Sequence, residues 1–294
     1  MKSFKRILLW CLALTATGAA TDAHGQTAKS AADDDAVSAT HTRQSYQVGL
    51  GPTQLLDTYL SQEKFRGTGL TFLTTTERYA SVGTADNRWR TNIQHQLSLS
   101  AADDRSGSRE ELQGDYSFFI GRLRHWQACT WHDGRNSVGV EAGGLLNANL
   151  GFIYNTSNSN NPAQARASVN LVPVVAADCH VNLFKRRLVT RYELALPLAG
   201  LAFSPNYGQS YYEIFSLGNY DHNLVPTTFV SAPTFRQQLT VDYRLWRNAS
   251  LRIGYLGDYQ QLRVNQLKSH VVHHRIMVGY VHHFTHVKPL KPKQ

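Results

Sequence analysis

Six of the 13 histidines in this 294-residue chain lie close together: His270, His273, His274, His282, His283 and His286. Imidazole nitrogens bind transition metals, but several must converge to about 2 Å from one ion. In an extended chain His270 and His274 share a face yet stand about 13 Å apart, at 3.3 Å per residue. His273/His274 and His282/His283 are adjacent pairs that point to opposite faces. No metal ion is expected from them, and they suit amphipathic rings near two membrane interfaces. Asp221 and His222, in "GNYDHN", could move a proton, but a lone pair without a nucleophile reads as a polar turn. Ser157 would need a base within reach to become a nucleophile.

A second group is built from amides. The apolar stretch Leu145–Tyr154 runs into a tract of asparagines and serines before Pro162. With Leu150, Phe152 and Tyr154 on one face, Asn147, Asn149 and Asn155 fall on the other. Across the turn, Gln164, Arg166, Ser168 and Asn170 join them. Such donors and acceptors could hold a sugar or a carboxylate, or could close a polar interior. The tract itself suits a turn, because Asn and Ser side chains bond to nearby backbone.

Both groups lie on segments that alternate. "WRTNIQHQLSLS" puts Trp89, Ile93, Leu97 and Leu99 opposite Arg90, Asn92, Gln94 and Gln96. "QLTVDYRLW" puts Leu239, Val241 and Tyr243 opposite Thr240, Asp242 and Arg244. Period two at this length means strands. A soluble sandwich uses strands of about 5–6 residues, whereas a membrane barrel needs about 9–11. The segments 110–127, 137–155, 162–181, 186–203, 233–246, 249–262 and 268–284 have the longer kind of span. Their polar faces carry Glu141, Arg166, Arg191, Glu193, Asp242, Arg244, Arg252 and Asp258, which a dry core would not accept unpaired. An antiparallel transmembrane β-barrel of about ten strands is expected, with eight to twelve open. Its narrow lumen would be filled by paired charges. The first strand is expected within 45–61. Tight turns at 182–188 and 245–251 would face the periplasm. The long polar connections "AADDRSGSRE", the Asn/Ser tract, 204–232 and "RVNQLKS" would face outward, where "YYEIFSLG" and "VPTTFVS" could add two strands.

The N-terminus begins with Lys2, Lys5 and Arg6 before the apolar run Ile7–Thr17. This reads as a secretory signal peptide over 1–25. Its loss removes three basic residues and one acidic one, so the net charge of +9 falls by two. Residues 26–43 read as a disordered leader, 44–284 as the barrel and 285–294 as a periplasmic tail. Nucleic acid is not an expected partner, since no helix-turn-helix, zinc spacing or dense basic cluster is present. Outer-membrane lipid is the expected surroundings. Cys129 and Cys179 fall one strand apart, too far for a bridge unless they sit in turns.

Four resemblances bear on the reading. "HRIMVGYVHHF", ending at Phe284, resembles the terminal signal by which barrels engage their assembly machinery, although ten residues follow it. "LLDTYLSQEKFRGTG" and the run from "YNTSNSNNPAQARA" through "FSPNYGQSYYEIFSLGNYDHN" resemble an uncharacterised family of Bacteroidetes outer-membrane β-barrels carrying a domain of unknown function. That resemblance implies location and fold and brings no catalytic residues or cofactor. "Asn155-Thr156-Ser157-Asn158-Ser159" looks superficially similar to the His-x-Ser-Asn-Gly motif of outer-membrane phospholipase A. Asn155 stands where the histidine would be and cannot act as a base. Asp221 and His222 are likewise only a faint likeness to omptin proteases. The expected function is therefore structural, or binding through the outer loops of a polar ligand or glycan. A rim hydrolase and a narrow channel for polar solutes are the alternatives.

Overall fold

The computed structural model describes residues 37–289, except 83, 84, 87, 88, 133, 160, 184 and 185. The signal peptide, residues 26–36 of the leader and the last five residues lie outside that range. Thirteen strand segments follow one another. They are β1 Val37–Asp57, β2 Phe65–Val82, β3 Ala85–Asp86, β4 Trp89–Asp103, β5 Glu110–Trp131, β6 Asn136–Asn155 and β7 Ala163–Leu183. Then come β8 Arg186–Ala195, β9 Ala199–Phe203, β10 Leu224–Thr228, β11 Phe235–Arg244, β12 Ala249–Val264 and β13 Leu267–Pro289. One short helix, α1 Tyr211–Phe215, lies between β9 and β10.

The wall is a closed ring of ten antiparallel staves. β13 pairs with β1, and β7 pairs with β8, so no long edge is left open. β8 and β9 are one stave broken at Pro197, which has no N–H to give to the ladder. β10 and β11 are likewise one stave, pairing with β9 and β8 in turn. β3 is a short side piece on β2.

The surface is inverted relative to a soluble domain. Leu150 is 63% exposed and Leu171 61%, whereas Gln47, Gln94, Gln96, Glu111 and Arg275 are buried. Alternation along each strand places apolar side chains outside and polar ones in the lumen. No helix among the described residues is long and apolar enough to cross a membrane.

Both described ends, Val37 and Pro289, lie at the same end of the barrel as the strand ends Val82, Trp131 and Leu183 and the turn 245–248. This is the turn end. The connections 58–64, 104–109, 156–162, 204–223 and 265–266 form the looped end. Four expectations shift. β1 begins at Val37, so residues 37–43 of the expected leader are paired strand, held against β13 and β2. Residues 285–289 of the expected tail are paired to the same β1. "RVNQLKS" is not a long loop but a two-residue hairpin, with Asn265 and Gln266 at φ of 51° and 62°. In the long 204–232 connection, "VPTT" is strand, but "YYEIF" is helix. Ser210 and Glu213 form a reciprocal capping box that commits that segment to a helical turn. Cys129 and Cys179 flank Val138 on β5 and β7 and are free thiols.

Candidate functional site

The looped half of the lumen holds a cavity of about 90 Å³. β5, β6 and β7 bring Ser117, Phe119, Asn147, Asn149, Gln164, Arg166, Ser168 and Asn170 to its wall, and β11 and β12 bring Arg236, Asp258 and Gln260. Six of the seven expected mouth residues thus face one space. Asn155 does not line it. Its amide donates to Glu111 Oε1 at 3.1 Å, and its Oδ1 accepts the Ser157 N–H at 3.0 Å.

Most amides here are bonded to one another. Asn170 Nδ2 donates to Asn147 Oδ1 at 3.2 Å, and Asn149 Nδ2 donates to Ser117 Oγ at 2.7 Å. The Tyr211 hydroxyl of α1 donates to Gln164 Oε1 at 3.0 Å, fastening the long loop over the rim. Asn265 holds that loop from the opposite side through the carbonyls of Ser204 and His222. The arginines are less satisfied. Arg166 Nη2 donates to Gln260 at 3.1 Å, but its buried Nη1 has no protein acceptor. Arg236 Nη2 is also buried without an acceptor. Arg236 shares the parity of Gln238, Thr240 and Asp242, so alternation alone could have nominated it.

Below the cavity the lumen is bridged. Arg236 Nε donates to Gln96 Oε1 at 2.9 Å, from β11 to β4 on the opposite wall. Gln96 Nε2 donates to Asp258 Oδ2 at 2.7 Å, and Gln94 Nε2 to Glu193 Oε1 at 3.1 Å. Arg191 pairs with Glu141 at 2.6 Å and with Glu193 at 3.1 Å. Arg252 grips Asp242 with two bonds of 2.5 and 2.7 Å, and Arg43 pairs with Asp242 and Glu77. The free volume among Glu77, Arg191, Glu193 and Arg252 is only about 10 Å³. Two expected members differ. Arg244 donates to the Arg247 carbonyl at 2.9 Å in a turn instead of to a carboxylate, because its stave ends there. Asp258 is held by amides. Arg43, Glu77 and Arg90 complete the network. Arg43 reaches Asp242 only because the ring closes, whereas Glu77 is opposite Arg43 on the next strand and Glu141 lies two strands from Arg90.

The histidines separate by face. His274 lies on the outer face of β13 beside Tyr255 and Tyr259. His273 is buried in the lumen and is not part of an interfacial ring. Its Nδ1 lies 3.2 Å from Thr53 Oγ1 and its Nε2 3.5 Å from Asp115. A hydroxyl, an imidazole and a carboxylate in a row suggest a catalytic triad, but no substrate could reach them. Arg275, 0% exposed, donates to His273 Nδ1 and also to the carbonyls of Gly51 and Pro52. The cluster is a packed polar plug. Asp221 and His222 pair at 2.7 Å on the open surface of the long loop.

An apolar girdle around an ion-paired, wall-to-wall bridged lumen defines a transmembrane β-barrel with an occluded bore. The chain belongs to the family described as "Protein of unknown function (DUF3316)", which matches residues 7–291. No curated protein matches it. Among solved structures it is similar to the transport unit of the autotransporter AIDA-I from Escherichia coli. There the TM-score is 0.44 at 7% identity, covering 84% of this chain and 90% of that one. The translocator domain of the autotransporter NalP from Neisseria meningitidis gives 0.33 at 11% identity, covering 96% and 98%. Neisserial surface protein A gives 0.32 at 9% identity, covering 83% and 97%.

Proposed function

We propose that this barrel resides in the outer membrane of a Gram-negative bacterium and binds a small polar ligand at its looped end. The looped end then faces outward and the turn end faces the periplasm. Short turns and both described ends on the inner side, with longer loops outside, support that orientation. The resemblance of Leu55–Gly69 and 154–223 to Bacteroidetes barrels supports the same location.

The observation that carries the binding reading is the pair of buried guanidinium nitrogens, Arg166 Nη1 and Arg236 Nη2, left without acceptors on two residues that line one cavity. A buried donor without a partner is costly, so a ligand acceptor there is favoured. A carboxylate suits a guanidinium best, and the surrounding amides suit hydroxyls. The ligand class is therefore a small hydroxylated acid, such as a uronic acid. Calorimetric titration of the detergent-folded protein with glucuronate tests this. Saturable binding that weakens about tenfold in Arg166→Ala, about 1.4 kcal/mol, is expected. Equal affinity in the variant would reject the site. The bridged waist favours binding over conduction, so planar bilayers should show no steady single-channel steps.

A further inference from the structure

A second cluster lies at the other end of the lumen and is not used by the outer cavity. It is built across three neighbouring strands. His125 on β5 is directly opposite Glu141 on β6. Asp178 on β7 is opposite Gly139, two residues along β6 from Glu141. Period two turns all of these positions toward the lumen. One ligand-type atom from each of His125, Glu141 and Asp178 lies within 4.8 Å of the other two. His125 Nε2 stands 3.7 Å from Asp178 Oδ1. Tetrahedral ligands about 2.1 Å from an ion are separated by a little over 3 Å, so this gap closes on a metal with a small shift.

Three further observations point to an occupant. Asp178 is 5% exposed, and its Oδ1 has no hydrogen-bond partner. A carboxylate oxygen buried in that condition needs a cation or a donor. Gly139 holds the space open: a Cβ there would lie 2.4 Å from His125 Nε2 and 2.9 Å from both Asp178 oxygens. The ligands are also braced from behind. His180 Nε2 lies 2.7 Å from Asp178 Oδ2, and Arg187 donates to His180 Nδ1 at 2.8 Å. Arg90 and Arg191 bond the two oxygens of Glu141 at 2.5 and 2.6 Å. Outer partners that orient ligand carboxylates are a regular part of metal sites.

We propose that His125, Glu141 and Asp178 bind a divalent transition-metal ion at the turn end of the lumen. One imidazole and two carboxylates suit a borderline ion such as Zn²⁺. The two guanidiniums on Glu141 offset part of its charge and moderate the affinity, while each oxygen keeps a second lone pair for the ion. The site opens into a recess of about 530 Å³ bordered by Tyr79, Trp126 and Ser137. A fourth coordination position therefore faces the periplasm. The histidine-rich C-terminus contributes nothing to this site.

The test is calorimetric titration of Zn²⁺ into the whole chain, folded in detergent and stripped with EDTA. One ion per chain is expected. His125→Ala and Asp178→Asn should each weaken binding by about tenfold or more. Gly139→Ala should weaken it too, because the methyl group occupies the gap. His286→Ala should leave it unchanged. Absence of saturable binding, or binding that survives both ligand variants, overturns the proposal. Should the variants fail to fold, the wild type alone decides. Zn²⁺ should protect His125 from diethylpyrocarbonate, read by peptide mass mapping, and unprotected His125 overturns the site.

Discussion

The two halves of the lumen use the same chemistry to opposite ends. In the turn half and at the waist, nearly every charge meets a counter-charge. Arg191 spans Glu141 and Glu193, and Arg252 and Arg43 share Asp242. In the looped half, Arg166 and Arg236 keep donors without acceptors beside open volume. Both halves come from strands with the same alternating pattern. What separates them is whether the opposite wall supplies a complementary group at that height. A polar lumen is thus a lock where partners meet and leaves room for a ligand where they do not. The turn-end cluster around Asp178 is the exception that tests this rule, since an unpartnered carboxylate oxygen lies in the paired half.

Substitutions in each half separate the two roles. The largest effect should come from Asp242→Ala, which leaves Arg43 and Arg252 buried without their shared carboxylate. Breaking a buried pair this way costs about 3–5 kcal/mol. It would be read as a lower urea midpoint in detergent or as a lost fast-migrating band on unboiled gels. Arg166→Ala should remove about tenfold in ligand affinity yet change stability by only about 1 kcal/mol, the cost of one modest hydrogen bond. Were Arg166→Ala to destabilise as much as Asp242→Ala, the two halves would not differ and the receptor reading would fall. The smallest effect should follow Ser210→Ala, which removes the cap of α1. A cap contributes about 1 kcal/mol, here confined to the loop, so faster amide exchange over 211–216 is expected with the global midpoint unchanged. A shifted midpoint would mean that the loop is part of the lock.

Much of the wall was legible because period two needs only local information. The segment 137–155 became β6, and 186–203 became the β8–β9 stave with its break at Pro197. Inward parity also put Asn147, Asn149, Gln164, Arg166, Ser168 and Asn170 on the lumen side, where they line one cavity. Parity fails where a residue's partner is chosen by a turn. Arg244 turns to its own hairpin, and Asn155 turns back to Glu111 and Ser157. It fails at the ends too, because residues 37–43 and 285–289 are held by pairing with each other, not by an apolar face.

By itself the sequence determined the class of fold: long alternating strands with charged inward faces are stable only around a wet or paired lumen in a membrane. Which inward residues meet was decided by closure of the ring. Arg236 and Gln96 are 140 positions apart, and only a ten-stave cylinder puts them across one bore. Pairing of neighbouring strands turned His125, Glu141 and Asp178 toward one point, because the register of three strands, not their spacing along the chain, sets that distance.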